Sequence, residues 1–363
     1  MVQEVQQKNN QTKIIHVTES LGGGVLNSLI GLIRNQISDG FQTEVRYVRR
    51  SDTPSKEELN LLIGQQTTLN DYGKSNLFNL VRLFRDLRKS PHPLCVIHLH
   101  SSKAGLVGRL MLRSKLSKVI YSPHAFAFTR RDIPQLVRVL YRALEFLADK
   151  TSNCKTIGVS KHESFLASNL KFRNVKTLYN YISDPLQEFG LSSSPLVARQ
   201  FDVCNLARIS AQKNPERFIR IFRRMGSQGQ WIWIGAGESS WMKKNSDIII
   251  TDWKSRIESM KYLNSSKIFL STSDWEGLSV SLIEAQMMGL PSIAWDIPSN
   301  REIIQHGESG YLCLSEDEIA NRIQEILSDN QLWERLSKNA RDNAIVKFER
   351  SKNLEAWKLA YFE

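Results

Sequence analysis

Long apolar segments and paired cysteines are both missing from this 363-residue sequence. No stretch approaches the roughly 18 consecutive apolar residues of a membrane-spanning helix. The four cysteines lie far apart and form no Cys-x-x-Cys pair, so the usual spacings of a zinc site or a disulfide framework do not occur. The first 11 residues are polar and lack the apolar core of a secretory signal, and we therefore expect a cytoplasmic protein.

Acidic residues are scarce in the first half of the chain. Residues 1–184 contain 27 Lys and Arg against 14 Asp and Glu, whereas residues 185–363 contain 22 and 23. The net charge of +12 therefore belongs to the first half. This excess indicates an anionic partner for that half: nucleic acid, a membrane surface or a phosphorylated substrate. A content of 41% hydrophobic and 24% charged residues excludes a disordered chain.

Strand and helix patterns alternate along the chain, which favours an α/β architecture with parallel sheets. A chain of this length exceeds the usual size of one core, so we expect two doubly wound, Rossmann-like domains. The segment 185–199 is rich in turn residues, including Gly190, and is interpreted as a linker. It separates a first domain (1–184) from a second domain (200–345), and a C-terminal helix follows (346–363).

The densest functional pattern lies in residues 274–291. An apolar strand precedes it, so we place Glu276 in a strand-to-helix loop and Glu284 on the following helix. The N–H groups near Gly277 and Leu278 then lie at a helix N-terminus, where anions bind. A carboxylate further along such a helix can accept hydrogen bonds from a ribose diol. The alternative is an exposed acidic loop followed by a helix carboxylate that the helix dipole favours.

The spacing of these two carboxylates resembles the Glu-x7-Glu signature of the family 4 glycosyltransferases, which are retaining enzymes of GT-B architecture. Residues 207–215 are similar to the Gly-Arg-Leu-x3-Lys-Gly loop of that family, with Arg208 and Lys213 five residues apart. Asn214 replaces the second glycine of this loop. Residues 234–238 are similar to the Gly-x-Gly strand end of the family. The resemblance implies two Rossmann-like domains that face a central cleft.

In this family the first domain binds the acceptor, the second binds the nucleotide-sugar, and the last helix crosses back onto the first domain. The resemblance therefore implies a retaining transfer of a sugar from a nucleotide-sugar to a saccharide acceptor. UDP is the commonest carrier, and the acceptor is expected to be lipid-linked, as in cell-surface polysaccharide synthesis. No Asp-x-Asp motif occurs, so we expect neither a metal ion that bridges the donor phosphates nor a resident cofactor.

The resemblance also implies roles for single residues of the second domain. Arg208 and Lys213 would stabilise the leaving diphosphate, because preorganised cations stabilise negative charge that develops during a reaction. Glycine turns at Gly235 and Gly237 would let backbone N–H groups approach the phosphates. Glu276 would contact the transferred sugar. Glu284, the second glutamate of the signature, would contact the ribose.

A glycine loop lies between the first strand and the first helix of the chain. Gly22, Gly23 and Gly24 form it, but Asn27 stands where a Gly-x-Gly-x-x-Gly motif has its third glycine, so a dinucleotide site is not indicated. The resemblance implies that this loop faces the donor phosphates. The alternative is a tight turn between a strand and a helix.

Histidines follow two further strands of the first domain. His100 and Lys103 belong to a segment that resembles bacterial polysaccharide members of the family, and we expect them to contact the acceptor. His124 resembles the strand-end histidine of the family. By that resemblance it is catalytic and hydrogen-bonds the transferred sugar or the β-phosphate, and it need not be a general base. We interpret His98 as structural.

Basic residues concentrate in residues 101–150, which hold ten basic and three acidic side chains. Arg109 with Arg113, and Arg138 with Arg142, are four residues apart on predicted helices, so each pair shares one helix face. Apolar residues between them indicate helices that are half buried and half cationic. Since a cationic face attracts anionic lipid, we expect peripheral association with the inner face of the cytoplasmic membrane. A solvated face without a partner is the alternative.

Two other function classes remain open. A GT-B epimerase that acts on a UDP-sugar would need neither an acceptor nor affinity for a membrane. A basic nucleic-acid-binding protein would interleave aromatic and basic residues on a sheet or in a groove. Here the basic residues lie on predicted helices, and we expect no nucleic-acid partner.

Overall fold

The computed structural model describes residues 12–19, 21–89, 95–112, 117–180, 182–238, 240–245, 247–348 and 350–362. The chain forms two compact units. Unit 1 consists of residues 1–181 and 353–363, and unit 2 consists of residues 182–352. Each unit contains one parallel β-sheet with helices, so the predicted pair of doubly wound α/β domains is confirmed.

The α-helices are, in chain order, α1 (Gly23–Ser38), α2 (Lys56–Ile63), α3 (Leu77–Lys89), α4 (Ser102–Met111), α5 (Gln135–Thr151), α6 (Lys161–Asn169), α7 (Pro185–Glu188), α8 (Pro215–Arg224), α9 (Ser240–Asn245), α10 (Arg256–Asn264), α11 (Val280–Met287), α12 (Pro298–Arg301), α13 (Glu316–Ser328), α14 (Asn330–Phe348) and α15 (Arg350–Phe362). Within the described ranges, no helix is both long enough and apolar enough to cross a membrane.

Unit 1 contains a seven-stranded sheet in the order β3-β2-β1-β4-β5-β6-β7. Its strands are β1 (Lys13–Thr18), β2 (Gln42–Arg49), β3 (Thr68–Lys74), β4 (Cys95–His100), β5 (Ser117–Ser122), β6 (Cys154–Gly158) and β7 (Val175–Thr177). The central strand β4 is buried along its whole length, as expected of a parallel strand covered on both faces. The direction of strand addition reverses between β1 and β4.

Helix α15 completes the core of unit 1. Trp357 and Tyr361 are buried in a cluster with residues of β1, β4 and β5, such as Ile14 and Val96. The indole Nε1 of Trp357 donates to the Tyr179 carbonyl at 3.0 Å. Residues 353–363 therefore belong to unit 1 although they end the chain.

Unit 2 contains a six-stranded sheet in the order β10-β9-β8-β11-β12-β13. Its strands are β8 (Phe201–Leu206), β9 (Trp231–Ile234), β10 (Ile249–Ile250), β11 (Ser266–Ser271), β12 (Ser292–Trp295) and β13 (Gly310–Cys313). Helix α8 places Phe218 edge-on against Trp231 and Trp233 of β9, which gives the core an aromatic centre. The direction of strand addition reverses between β8 and β11.

The predicted linker, residues 185–199, lies within unit 2. Asp184 caps α7, since its side chain accepts from the Leu186 N–H at 3.1 Å. The same carboxylate pairs with Arg341 of α14 at 2.6 Å. Asp184, directly before the predicted linker, thus caps a helix of unit 2, and the division between the units lies just before Ile182.

Candidate functional site

The reversal point of the unit 2 sheet gathers the segments that carry the glycosyltransferase resemblance. Open parallel sheets bind ligands at the carboxyl ends of their strands, beside the place where strand order reverses. The loops after β8 and β9 run side by side, because the Ala207 N–H donates to the Ile234 carbonyl and the Ile209 N–H to that of Ala236. The loop after β11 joins them, since the Asp274 N–H donates to the Gln212 carbonyl at 2.9 Å.

Glu276 is held by two residues of the loop after β8. Its carboxylate forms an ion pair with Lys213. The Gln212 side-chain amide donates to the second carboxylate oxygen at 3.0 Å and to the Trp275 carbonyl at 2.9 Å. Only 8% of the Glu276 side chain is exposed. The structure therefore joins Lys213 and Glu276, which are 63 residues apart in sequence, and adds Gln212, which the motif comparison missed.

Asn214 explains how the loop tolerates the loss of a glycine. Its backbone is left-handed, with φ of 46° and ψ of 63°, a conformation that asparagine adopts more readily than most residues. Its side chain accepts from the Arg217 N–H at 3.0 Å and so caps α8. Its amide also donates to Asp274 at 3.0 Å. The replacement therefore preserves the shape of the turn and ties it to the loop after β11.

Gly235 and Gly237 are required by close backbone approach. Their φ angles are 135° and 156°, and a Cβ at either position would collide with a backbone carbonyl of the loop after β8, that of Ala207 or that of Ile209. The Gly235 N–H donates to the Thr251 hydroxyl at 3.1 Å. Gly235 therefore packs the two loops together, and its own N–H is already used within the protein.

The N-terminus of α11 lies directly after Gly277 and Leu278. Its N-cap residue, Ser279, makes no side-chain capping bond, and the first turn holds no acidic residue. The first N–H groups of a helix have no partner within the helix, and they carry a partial positive charge. This end of α11 can therefore accept an anion. Arg208 lies half-buried in the neighbouring loop after β8.

Glu284 lies on α11 and is buried. Its carboxylate forms an ion pair with Arg256 of α10 at 2.6 Å, and Arg256 extends to Glu188 at 3.4 Å. Burial raises the pKa of Glu284, while the Arg256 guanidinium acts in the opposite direction. No spacing rule pointed to Arg256, which approaches from a different helix.

The reversal point of the unit 1 sheet lies between β1 and β4. Glu19 follows β1, and its buried carboxylate accepts from the Ser101 hydroxyl and, at 3.1 Å, from the Ala104 N–H at the start of α4. Burial raises the pKa of Glu19. Sequence patterns did not indicate this residue. Lys103 lies on the same turn of α4 and is exposed.

The glycine loop of unit 1 leads into α1. A Cβ on Gly22 would press against the Asp52 backbone oxygen, so glycine is required there for close packing. Gly23 has a φ of 51° with open space around it, and both Gly23 and Gly24 are exposed. Helix α1 has no side-chain cap and no acidic residue in its first turn. Its N-terminus, like that of α11, can accept an anion.

His124 lies at the carboxyl end of β5 in a strained backbone segment. His124 and Ala125 have φ angles of 48° and 81°, which are uncommon for residues other than glycine. The Ala125 N–H donates to Glu163 of α6, which helps to hold this turn. The His124 ring is bonded to His100 at 3.0 Å. Burial lowers the pKa of His124 to about 4, so its ring is neutral at pH 7.

His100 does not reach solvent, since it is only 1% exposed. Its ring bonds to His16 at 3.0 Å on one side and to His124 on the other. His98, on the same strand, bonds to Ser122 at 2.9 Å and to the Tyr361 hydroxyl. His100 is therefore part of a buried hydrogen-bonded chain. The predicted role of His100, contact with the acceptor, does not explain this chain.

Three of these histidines could be considered as metal ligands. Nitrogen atoms of His16, His98 and His100 lie within 4.8 Å of one another. Among the described residues, these three form the group of side chains that is close enough to hold a metal ion. All six of their ring nitrogens take part in hydrogen bonds to protein groups. Hydrogen bonding alone thus accounts for their arrangement.

The prediction that Arg109 lies on an exposed cationic helix face is wrong. This side chain is fully buried, forms an ion pair with Glu145 of α5 and stacks on the Tyr121 ring at 4.2 Å. It faces the core because α4 packs between the sheet and α5. Arg113 lies outside the described residues. Arg138 is half-buried, and its Nε donates to the Phe128 carbonyl at 3.2 Å.

Helix α5 instead presents apolar side chains to solvent. Leu136 is 80% exposed and Leu140 is 57% exposed, although the apolar residues of this helix predicted that it is half buried and half cationic. Val139 and Leu147 are exposed by more than half. Arg142 lies exposed on the same helix. The outer surface of α5 is therefore apolar with a basic flank.

Known proteins match both the sequence and the fold. Residues 192–343 match the family described as Glycosyl transferases group 1. An uncharacterized 41.2 kDa protein in the cps region of Klebsiella pneumoniae is 26% identical, over 96% of this chain and 99% of its own length. The UDP-Gal:alpha-D-GlcNAc-diphosphoundecaprenol alpha-1,3-galactosyltransferase of Escherichia coli is 24% identical, over 78% of this chain and 79% of its own length.

Solved structures of glycosyltransferases have the same fold as this chain. Anabaena HepE in complex with UDP-glucose superimposes with a TM-score of 0.76 at 19% identity, over 96% of this chain and 99% of its own. TarM of Staphylococcus aureus gives a TM-score of 0.78 at 12% identity, over 97% and 100%. The chain therefore has the fold of the GT-B glycosyltransferases, and its residues 192–343 match the glycosyl transferases group 1 family.

Proposed function

We propose that the protein is a retaining glycosyltransferase that uses no resident metal or cofactor. It moves a sugar from a UDP-sugar to a lipid-linked saccharide during the synthesis of a cell-surface polysaccharide. The observation that carries this proposal is the Lys213–Glu276 pair at the reversal point of the unit 2 sheet. This pair lies within the segment that matches the group 1 glycosyltransferases.

The names of the relatives support the substrate classes. The Escherichia coli relative is named for a UDP-Gal donor and a diphosphoundecaprenol-linked acceptor, and another relative, from Erwinia amylovora, is named as an amylovoran biosynthesis glycosyltransferase. HepE was solved with UDP-glucose. Nothing in these names favours an epimerase or a nucleic-acid-binding protein.

The arrangement in unit 2 suits a leaving nucleoside diphosphate. Sugar transfer leaves negative charge on the β-phosphate, and fixed cations or helix N-termini lower the energy of that charge. Lys213, Arg208 and the N-terminus of α11 supply such groups. The ion pair with Glu276 holds the Lys213 ammonium in place before substrate binds. Glu276 contacts the transferred sugar, and Glu284 accepts from the ribose.

Unit 1 supplies the groups that handle the acceptor. Lys103 is exposed on α4 and contacts the acceptor, while His124 hydrogen-bonds the transferred sugar or the β-phosphate. The exposed apolar side chains of α5, with Arg142 beside them, would lie against an anionic membrane surface at the inner face of the cytoplasmic membrane. Such a location brings the enzyme to a lipid-linked acceptor.

Binding and turnover of nucleotide-sugars test the proposal. The purified protein is incubated with a panel of radiolabelled UDP-, GDP- and ADP-sugars, and both nucleotide binding and slow sugar release are measured. Lys213→Ala and Glu276→Ala should each abolish sugar release while circular dichroism stays unchanged. Lys338→Ala, which removes an exposed lysine on α14, is the matched control and should keep full activity.

The result that contradicts the proposal is also defined. No thermal stabilisation of the wild-type protein by any nucleotide would reject a nucleotide-sugar donor. Full activity of Lys213→Ala or Glu276→Ala would reject the role of that residue alone.

A further inference from the structure

We propose that His16 and His100 form a buried hydrogen-bonded chain that holds His124 in a single tautomer, with Nε2 protonated and Nδ1 left as an acceptor. The chain begins at Gln36 and runs through His16 and His100 to His124. His16 and His100 are positioning residues, since they act through His124. This inference rests on the proposed function, because it specifies which substrate group His124 binds.

One helix and three adjacent strands of unit 1 bring the four side chains together. Gln36 lies on α1, His16 on β1, His100 on β4 and His124 just after β5. Gln36 Oε1 is 2.8 Å from His16 Nε2, and His16 Nδ1 is 3.0 Å from His100 Nε2. His100 Nδ1 is 3.0 Å from His124 Nε2. The chain thus connects a buried amide to the carboxyl edge of the sheet without a gap.

Gln36 determines the direction of every hydrogen bond in the chain. The structure places the Gln36 amide oxygen, rather than the amide nitrogen, against His16 Nε2. An amide oxygen can only accept, so in this orientation His16 Nε2 carries a hydrogen. Burial lowers the pKa of His16 to about 4 and that of His100 well below its usual range, so each ring is neutral and carries one hydrogen. His16 Nδ1 therefore accepts from His100 Nε2. By the same reasoning, His100 Nδ1 accepts from His124 Nε2.

The remaining nitrogen of His124 is therefore a lone-pair acceptor. In the described part of the chain, no residue forms a hydrogen bond to His124 Nδ1. An unprotonated nitrogen accepts from a hydroxyl group but cannot donate to an ionised phosphate oxygen. Of the two partners that the resemblance allows, the structure assigns a sugar hydroxyl to His124 and excludes the β-phosphate as its direct partner.

Two substitutions of one residue separate the chain from simple packing. Asn and Leu have nearly the same size, but Asn carries its amide oxygen where the histidine has Nδ1. His16→Asn therefore keeps an acceptor for His100, whereas His16→Leu removes it. Gln36→Met is a second way to break the chain, at its far end and without changing any histidine. His306→Gln, at an exposed histidine of unit 2, is the control.

Ring nitrogen NMR of the ¹⁵N-histidine-labelled protein reads the tautomer directly. His124, assigned through His124→Asn, should show a protonated Nε2 and an unprotonated Nδ1 in the wild type, in His16→Asn and in His306→Gln. His16→Leu and Gln36→Met should give a mixture of tautomers. In these two variants kcat should fall about tenfold with little change in the KM for the nucleotide-sugar, as the loss of one oriented hydrogen bond predicts.

Several results would overturn the inference. These are a protonated Nδ1 in wild-type His124, an unchanged tautomer in both His16→Leu and Gln36→Met, or a stoichiometric metal ion bound to these rings in the purified protein. Failure of the proposed function has a different signature. If the wild type binds no nucleotide, the transferase proposal is rejected. The NMR result would still show whether the hydrogen-bonded chain fixes the His124 tautomer.

Discussion

The buried ion pair between Arg109 and Glu145 offers a direct test of the packing in unit 1. Arg109 is fully buried, and the Glu145 side chain is only 2% exposed. Arg109→Met keeps most of the apolar stem but leaves the Glu145 carboxylate without its cation. Removing one partner of a buried pair costs about 3–5 kcal/mol. The Tyr121 hydroxyl still donates to Glu145 at 3.0 Å, so we expect the lower end, about 3 kcal/mol.

The double variant Arg109→Met/Glu145→Met sharpens this prediction. Replacing both charges by apolar side chains of similar volume is often nearly neutral. We therefore expect the double variant to lose less than about 1.5 kcal/mol, which is a smaller loss than that of Arg109→Met alone.

Urea unfolding at pH 7 provides the measurement. Seven of the eight tryptophans lie in unit 2, so their fluorescence reports mainly on that unit, while circular dichroism reports on the whole chain. The variants should shift the unfolding seen by circular dichroism and leave the fluorescence transition in place. A loss below about 1 kcal/mol for Arg109→Met would match a surface substitution and refute the reasoning.

Two further predictions concern acid stability and membrane binding. Burial lowers the pKa of His16 from 6.5 to about 4, so the unfolded chain binds the proton more tightly, and stability is lost as pH falls below 6.5. Between pH 7 and pH 5 the free energy of unfolding should fall by about 2 kcal/mol. His16→Asn should reduce this loss in urea titrations. An equal loss in both proteins would contradict the lowered pKa of His16. We expect the wild type to float with anionic but not with neutral liposomes. The double variant Leu136→Asp/Leu140→Asp should float less, whereas Leu61→Asp, at an exposed leucine of α2, should float like the wild type. Equal recovery of the wild type with both lipids would count against membrane association.

A strand that is an apolar run can be recognised in the sequence, whereas a polar strand at a sheet edge cannot. The apolar run of β4 identifies it in the sequence, since every residue in it is buried. Strand β3, by contrast, lies at the sheet edge and is mostly exposed or half-buried. Its residues alternate little in polarity, so no sequence pattern distinguishes it from a loop.

The candidate site was predictable in part. Arg208, Lys213, Glu276 and Glu284 were recognised because their spacing along the chain follows a known motif. Gln212 was not, although it lies within the same segment, since its role depends on the loop after β11 folding back onto it.

Buried charges show the limit of reading a helix face from spacing. The four-residue spacing of Arg109 and Arg113 predicts that they share a face, but it does not say whether that face meets solvent or protein. Glu145 lies on another helix, 36 residues away, and its presence is what makes the burial of Arg109 possible.

The sequence by itself determined the α/β class, the two-domain organisation and the residues that carry the glycosyltransferase resemblance, because local periodicity and short-range spacing carry that information. Only the tertiary structure decided which charges are buried, which glycines pack loops together and how the histidines are connected. His16 and His100 are 84 residues apart, and nothing in either local segment indicates the other. Their contact exists because two strands distant in sequence lie side by side at the reversal point of a parallel sheet.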